Sequence, residues 1–361
     1  MSTTDPTHRG LAVEFNSVSF AYGGNLVVDE LSLRIGAGEF FTLLGPSGCG
    51  KTTTLRLVAG VLTPSGGTIR LGDRDVTRIP VHKRHVAMVF QNYALMPHKS
   101  VRENVAYGLA SAGLGRQERQ QRADAALARV GLTGYGERYP AQLSGGQQQR
   151  VGLARAVAVD SGVMLLDEPL SNLDTSLRQQ MCLELRELQQ DLGVTILYVT
   201  HDRNEALSMS DRIGVMEDGR ILGLGTPAEL YERPRDLRIA RMLGDVIVLP
   251  QSAQSRTSRS GSIALEEPDP DGGSPTLAVR PEHFRVIGPQ GPPTASNVLD
   301  GQVRRLEYVG AQTNLFVDVP GMGHPLLVRV PADQVASVPA KGEPVRIGWR
   351  VADTLELTGP R

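Results

Sequence analysis

Apolar residues follow two rhythms along this chain, and the rhythm changes near residue 245. Before that point, short all-apolar runs alternate with stretches in which apolar residues recur every three or four positions. Phe40–Leu44 is one such run, and it ends in a glycine-rich turn. Residues 52–59 then carry a helical pattern. Further strand-like runs lie at 163–166 and 194–199. Between them Leu177, Met181, Leu185, Leu188 and Leu192 step by four and three, which places them on one face of a helix. Buried strands alternating with helices predict a layered α/β domain with parallel strands. Arg212–Glu217 and 220–224 flank Asp218-Gly219, a hairpin signal.

After residue 245 the pattern shortens. Residues 251–262 are rich in Ser, and 266–275 in acid, Pro and Gly, so both predict exposed loops. Short β-like runs follow at 276–280, 302–308, 313–319, 326–330 and 345–349, and predict a small all-β barrel or sandwich. The expected organisation is a disordered tail over 1–11, an α/β domain over 12–245 and a β domain over 246–361.

Composition narrows the function classes. A length of 361 residues fits two domains, and 40% hydrophobic with 21% charged residues is ordinary for a soluble globular chain. The formal net charge of -1 gives no argument for a nucleic-acid or polyanion partner. Two cysteines, Cys49 and Cys182, are too few for a disulfide framework and fit a reducing compartment. The start, MSTTDPTHRG, lacks the basic-then-apolar order of a secretory signal. No apolar run approaches the roughly 20 residues that cross a bilayer, so any service to a membrane runs through a partner. The histidines other than His201 show no metal-ligand spacing.

The glycine-rich turn carries chemistry. Gly45-Pro46-Ser47-Gly48-Cys49-Gly50-Lys51-Thr52 matches the P-loop pattern, between an apolar strand and a helix. A phosphate chain needs converging N–H donors, glycine lets the backbone approach closely, and the helix points its positive end at the anion. Gly45, Ser47, Gly48, Cys49, Gly50, Lys51, Thr52 and Thr53 are therefore candidate ATP contacts. Lys51 would reach the β- and γ-phosphates, and Thr52 would offer its hydroxyl to Mg²⁺. The strand at 163–166 runs into Asp167-Glu168. Asp167 can hold the metal through its waters, and Glu168 is placed to polarise an attacking water as general base.

Leu143-Ser144-Gly145-Gly146-Gln147-Gln148-Gln149-Arg150 resembles the signature sequence of ABC-type ATPases, and it stands in the family's order between the P-loop and Asp167-Glu168. From about 12 to about 245 the chain is similar to the nucleotide-binding subunit of ABC transporters. That resemblance implies further roles. Tyr22 stands where an aromatic stacks on adenine. Gln91 matches the glutamine that contacts Mg²⁺ and the attacking water. Ser171-Asn172-Leu173-Asp174 matches the loop linking two ATP sites, and His201 the histidine at the γ-phosphate. Ser144, Gly145 and Gly146 would cap ATP held by a second copy, which makes the expected unit a homodimer.

The resemblance also implies a helical subdomain at about 92–150. Its part at 92–142 would receive transmembrane permease subunits, with Leu95, Met96 and 123–130 apolar enough either to help line the groove or to form the subdomain's own core. The stretches 279–284 and 301–319 resemble the C-terminal TOBE-like, OB-like barrel of importer ATPases in the sugar, polyamine and iron group. The expected role is ATP hydrolysis that drives solute uptake, peripheral to the cytoplasmic face of the membrane, with an extracytoplasmic solute-binding protein acting indirectly. Residues 86–109 and the tail favour a polyamine cargo over sugar, ferric iron or phosphonate. A departure is Arg203, where relatives often carry Gln. A non-transport ABC ATPase is the alternative class; the single compact cassette without a heptad insert argues against it.

Overall fold

The computed structural model describes residues 10–249, 257–258, 261–262, 276–287 and 297–358. Most of the expected tail, 251–262 apart from 257–258 and 261–262, and the whole of 266–275 lie outside the described residues. The chain divides into two compact units between Ala228 and Glu229.

The first unit opens with strands β1 (Val13–Tyr22), β2 (Asn25–Ile35) and β3 (Phe40–Leu44), then helix α1 (Lys51–Ala59). Strands β4 (Gly66–Leu71), β5 (Arg74–Asp75) and β6 (Val86–Val89) follow. A helical stretch comes next, with α2 (Val101–Ala106), α3 (Arg116–Arg129) and α4 (Gly145–Ala158). The chain returns through β7 (Val163–Asp167), α5 (Thr175–Leu192), β8 (Thr195–Thr200), α6 (Arg203–Met209), β9 (Arg212–Glu217) and β10 (Arg220–Gly225).

The central sheet has the order β10-β9-β3-β8-β7-β6. Five of its strands run parallel, and β10 turns back on β9 through Asp218-Gly219. Every residue of β3, β7 and β8 is buried, which explains why these strands read as unbroken apolar runs rather than alternating ones. The parallel alternation expected from the sequence is therefore present. A second, antiparallel sheet with the order β2-β1-β4-β5 was not expected. Its first strand slips register between Phe15 and Val18, with Ser17 at φ 48°. Such a bulge breaks the period of two by which a strand is recognised.

One buried cation joins the two sheets' helices and loops. Arg84 is 3% exposed. Its guanidinium donates to the carbonyls of Leu57 at 2.6 Å and Val58 at 2.9 Å, the last turn of α1, and to Ile79 at 2.6 Å and Thr77 at 3.1 Å. A cation at a helix C-terminus meets both orphan carbonyls and the negative end of the dipole. Burial lowers the guanidinium pKa without discharging it.

In the helical stretch, Val105, Leu109, Ala123, Ala126, Leu127 and Val130 pack into one core with α4. Ala123, Ala126, Leu127 and Val130 thus serve the internal core, the second of the two roles open to this stretch, while Ala125 and Ala128 are exposed. Leu95 and Met96 are partly exposed.

The second unit begins within α7 (Pro227–Glu232) and continues through α8 (Leu237–Leu243), β11 (Ile247–Val248), β12 (Thr257–Ser258) and β13 (Gly261–Ser262). The pair β12–β13 lies in a stretch expected to be loop. Then come β14 (Thr276–Val279), β15 (Arg285–Ile287), β16 (Asn297–Tyr308), β17 (Gln312–Asp318), β18 (Leu326–Pro331), β19 (Pro344–Trp349) and β20 (Thr354–Leu357). They form a five-stranded sheet, β15-β19-β16-β17-β18, and a three-stranded one, β11-β14-β20. Trp349 and Phe284 meet edge to face at 5.5 Å in its core, and the indole N–H donates to Thr354 Oγ1 at 3.0 Å.

The packing boundary precedes the change of composition near 245. Leu237 and Ala240 of α8 are buried against Ala278 and Leu357. Arg280 stacks on the Tyr231 ring at 3.6 Å and donates to its carbonyl at 2.7 Å. These helices look like α/β elements in sequence but pack on β strands of the second unit.

Replacing Arg84 with Met should remove the guanidinium hydrogen bonds to four carbonyls, of which Leu57 keeps the Gly60 N–H, and cost about 3 kcal/mol. The expected result is a lower first unfolding transition in urea, followed by circular dichroism, with the second transition unmoved.

Candidate active site

The loop between β3 and α1 is held by backbone from three directions. Gly50, the residue before α1, has φ 108° and lies so close to Val27 of β2 that a Cβ would sit 2.5 Å from the Val27 carbonyl oxygen. At Gly45 a Cβ would stand 2.2 Å from the carbonyl oxygen of Met216 in β9. Neither position admits a side chain. The hairpin turn completes the clamp, because Gly219 N–H donates to Cys49 O at 3.0 Å and Asp29 N–H to Gly219 O at 3.0 Å. Lys51 is 4% exposed, and its ammonium donates to the carbonyls of Gly45 at 2.7 Å and Pro46 at 2.8 Å. Ser47 and Gly48 lie on the same loop, and Thr53 is buried in the first turn of α1.

Thr52 brings this loop to the second motif, its hydroxyl donating to Asp167 Oδ1 at 2.8 Å. Burial pushes the Asp167 carboxyl up from its ordinary value, and the Thr52 hydrogen bond pulls the other way. The pair presents hard oxygen donors beside a phosphate-type loop, a set that suits Mg²⁺. Glu168, the next residue, has φ 44°. A left-handed non-glycine residue of this kind costs on the order of 1 kcal/mol and marks functional turns. Its N–H donates to Val199 O at 3.0 Å, and its carboxylate Oε2 lies 3.1 Å from His201 Nδ1. Parallel pairing of β7 with β8, with Asp167 opposite Val199, places the acid and the histidine at adjacent strand ends.

Gln91 follows β6, at the same end of the parallel strands. Its amide donates to Ser171 Oγ at 3.3 Å, and Asn172 donates to its carbonyl at 3.1 Å. Ser171 Oγ also donates to Glu168 O at 2.9 Å. Tyr93 and Ala94, just beyond, have φ 57° and 45°. Their carbonyls accept from Arg155 of α4 at 2.5 and 2.8 Å, which ties the Gln91 segment to the helical stretch. Asp174 caps α5 by accepting from Leu177 N–H at 3.0 Å, and that bond holds its carboxyl below the usual range.

Lys51, Thr52, Gln91, Asp167, Glu168 and His201 thus lie at or just beyond the carboxyl ends of β3, β6, β7 and β8, while Asp174 bonds within its own helix start. The signature residues stand apart from that cluster. Ser144 caps α4 in a capping box with Gln147, and Ser144 and Gly145 are exposed. Gly146 is buried, and a Cβ there would lie 2.9 Å from Leu177 Cδ2 of α5. Tyr22 is 45% exposed at the end of β1 and meets Phe20 edge to face at 4.8 Å.

Known proteins share this arrangement. A family model for ABC transporters matches residues 28–171, and one for the TOBE domain matches 277–357. The spermidine/putrescine import ATP-binding protein of Rubrobacter xylanophilus is 42% identical, over 98% of this chain and 95% of that protein. The chain belongs to the ABC transporter family. The Fe(3+) ions import ATP-binding protein of Agrobacterium fabrum is 46% identical, over 85% of this chain and 88% of its own. A dimeric ATP-binding cassette in a post-hydrolysis state, bound to ADP and Pi, is 30% identical, covers 60% of this chain and 98% of its own, and has a TM-score of 0.53. The chain is the ATP-binding subunit of an ABC importer, an ATPase with a C-terminal TOBE domain. Among the described residues no helix is long and apolar enough to cross a membrane.

Sequence reasoning missed two contributors. The Asp218-Gly219 turn was legible as a hairpin but not as a clamp on Cys49. Glu205, 3% exposed, accepts from Tyr198 and Thr200 hydroxyls at 2.7 Å each, Thr200 being the neighbour of His201. A glutamate four residues beyond a histidine at the start of a helix is a faint signal that only the packing makes specific.

Burial pushes the Cys49 thiol up, and burial pushes Cys182 up to about 11. Both should alkylate slowly. Labelling of Cys49 with N-ethylmaleimide is expected to abolish ATP hydrolysis, with ATP protecting; peptide mass spectrometry against residual activity checks this. Full activity at stoichiometric Cys49 labelling would contradict it.

Proposed function

We propose that two copies of this chain sandwich two ATP molecules, and that closing and opening of the pair drives a polyamine importer. The supporting observation is the pairing of Thr52 with Asp167 and of Glu168 with His201 at the carboxyl ends of the parallel strands. One copy offers the loop Gly45–Gly50, Lys51, Thr52 and Thr53 to the phosphates. The other offers Ser144, Gly145 and Gly146 at a helix N-terminus, exposed at Ser144 and Gly145, whose first-turn N–H groups suit a γ-phosphate. Tyr22 packs on the adenine.

In hydrolysis, Glu168 takes the proton from the attacking water as it adds to the γ-phosphorus in line with the leaving ADP oxygen. His201, 3.1 Å from that carboxylate, orients it and faces the γ-phosphate. Gln91 positions the water. Lys51 offsets charge that develops on the β–γ bridge. Thr52, Asp167 and Gln91 would hold Mg²⁺, which would offset charge on the β- and γ-oxygens. Loss of the γ-phosphate removes the ligand shared by both copies, so the pair opens, a ligand-dependent shift between two arrangements.

The working place follows from the partners. The helical stretch 92–142 engages permease subunits on the cytoplasmic face of the membrane, and a solute-binding protein delivers cargo on the far side. Polyamine is favoured over ferric iron because the polyamine-named relative aligns over 98% of the chain, against 85% for the iron-named one.

Glu168→Gln should bind ATP and dimerise, read by light scattering after gel filtration, and lose at least about 100-fold in turnover. Unchanged turnover would refute the assignment of the base. Cells that lack the gene should lose uptake of radiolabelled spermidine and keep uptake of ferric iron; the reverse result would reassign the cargo.

A further inference from the structure

Arg178, in the first turns of α5, belongs to none of the motifs, yet its guanidinium touches two of them. Nη2 donates to the Leu173 carbonyl at 2.9 Å, in the loop that ends at Asp174. Nη1 donates to Asp202 Oδ2 at 2.9 Å, the residue after His201. Nε faces Glu205 Oε1 at 3.7 Å, too far for a hydrogen bond, and has no other acceptor. The fork is therefore fastened at its two tips only. An arginine kept solely for packing would be expected to satisfy its buried Nε as well.

The segment that carries His201 is itself stiff. Asp202 Oδ1 accepts from Asn204 N–H at 2.8 Å and caps α6. Asp202 N–H donates to Thr200 Oγ1 at 2.9 Å, and that hydroxyl donates to buried Glu205 at 2.7 Å. Both neighbours of His201 are thereby fixed, so a displacement of Asp202 is passed on to the imidazole. The imidazole lies 3.1 Å from Glu168, whose carbonyl accepts from Ser171 at the start of the same loop that Leu173 helps to close. The contacts form a ring: Glu168, the loop 171–174, Arg178, Asp202, His201 and Glu168 again.

We propose that Arg178 is a positioning residue for ATP hydrolysis, which couples the Asp174 loop to the orientation of His201. When the second copy shifts the Asp174 loop, the rigid planar fork carries that shift to Asp202. Lysine at this position could pair with Asp202 but not hold both acceptors, because its ammonium is a single point charge on a flexible stem. The inference rests on the roles given above to Glu168 and His201.

The test uses the full-length chain with Arg178→Lys, Arg178→Met, His201→Ala and the double variant Arg178→Lys/His201→Ala. Thermal melting and equilibrium binding of a fluorescent ATP analogue report folding and affinity. Steady-state kinetics give kcat and KM, and single-turnover hydrolysis of radiolabelled ATP resolves the slow variants. Arg178→Lys is expected to fold, to bind the analogue within about threefold of the parent, and to lose about tenfold in kcat at unchanged KM. Placed on His201→Ala, it should cause less than about a twofold further loss, since residues acting through one another are not additive. Normal kcat in folded Arg178→Lys and Arg178→Met overturns the proposal. So do losses that multiply in the double variant, or unfolding of both single variants, which would make Arg178 a structural staple. Glu168→Gln separates the two levels. If it retains full turnover, the underlying reading fails; if it is inactive while the Arg178 variants are normal, this inference alone fails.

Discussion

The whole first unit is organised by how closely backbone must approach backbone at the turn from β3 to α1. Carbonyls of Val27 and Met216 stand where a Cβ at Gly50 or Gly45 would have to be, and Gly219 bonds Cys49 from the side. Those three neighbours come from the antiparallel sheet, from β9 and from the hairpin turn. The strand order β10-β9-β3 and the flanking position of β2 are thus more than topology: they bring the walls of a phosphate-sized loop into contact. A loop of six residues has little structure of its own, and its shape is imposed by what surrounds it.

Across the sheet from that loop, charge is handled by burial as much as by pairing. Asp167 has a hydroxyl rather than a cation as its hydrogen-bond partner, and burial raises its pKa. Such a carboxylate gains most from an arriving metal, because the metal relieves the cost of its own desolvation. Glu168, one residue on, is turned by its left-handed backbone toward His201 rather than along the strand. Two adjacent acids therefore meet different partners, Thr52 and His201, beside a single unusual φ.

Much of this was legible in the sequence, for a physical reason. Strands buried on both faces leave unbroken apolar runs, and a close-packed phosphate loop leaves glycines in fixed places. What stayed hidden falls into three kinds. β1 concealed itself behind a bulge at Ser17 that spoils alternation. The stretch 123–130 suited a partner or the subdomain's own core, and contacts give Ala123, Ala126 and Leu127 to the core. Helices α7 and α8 looked like the end of the α/β unit, while Leu237 and Arg280 show that they pack with β strands. In each case composition carried the local preference and tertiary contacts decided the outcome. Among the site residues, Thr52 with Asp167 and Glu168 with His201 lie within hydrogen-bonding reach in pairs, a proximity that motif order alone does not give.

Gly146 carries one more implication. With no side chain of its own, the first turn of α4 rests at Gly146 on the Leu177 side chain of α5, whose Cδ2 would lie 2.9 Å from a Cβ there. A single leucine is the only layer between the two helices at that point. The two helices meet there as a fulcrum meets a lever, so a swing of the helical stretch should pivot close to the Asp174 loop and move its far end, near α2, through the larger arc. A small adjustment at the first turn of α4 would in this way be magnified along the helical stretch.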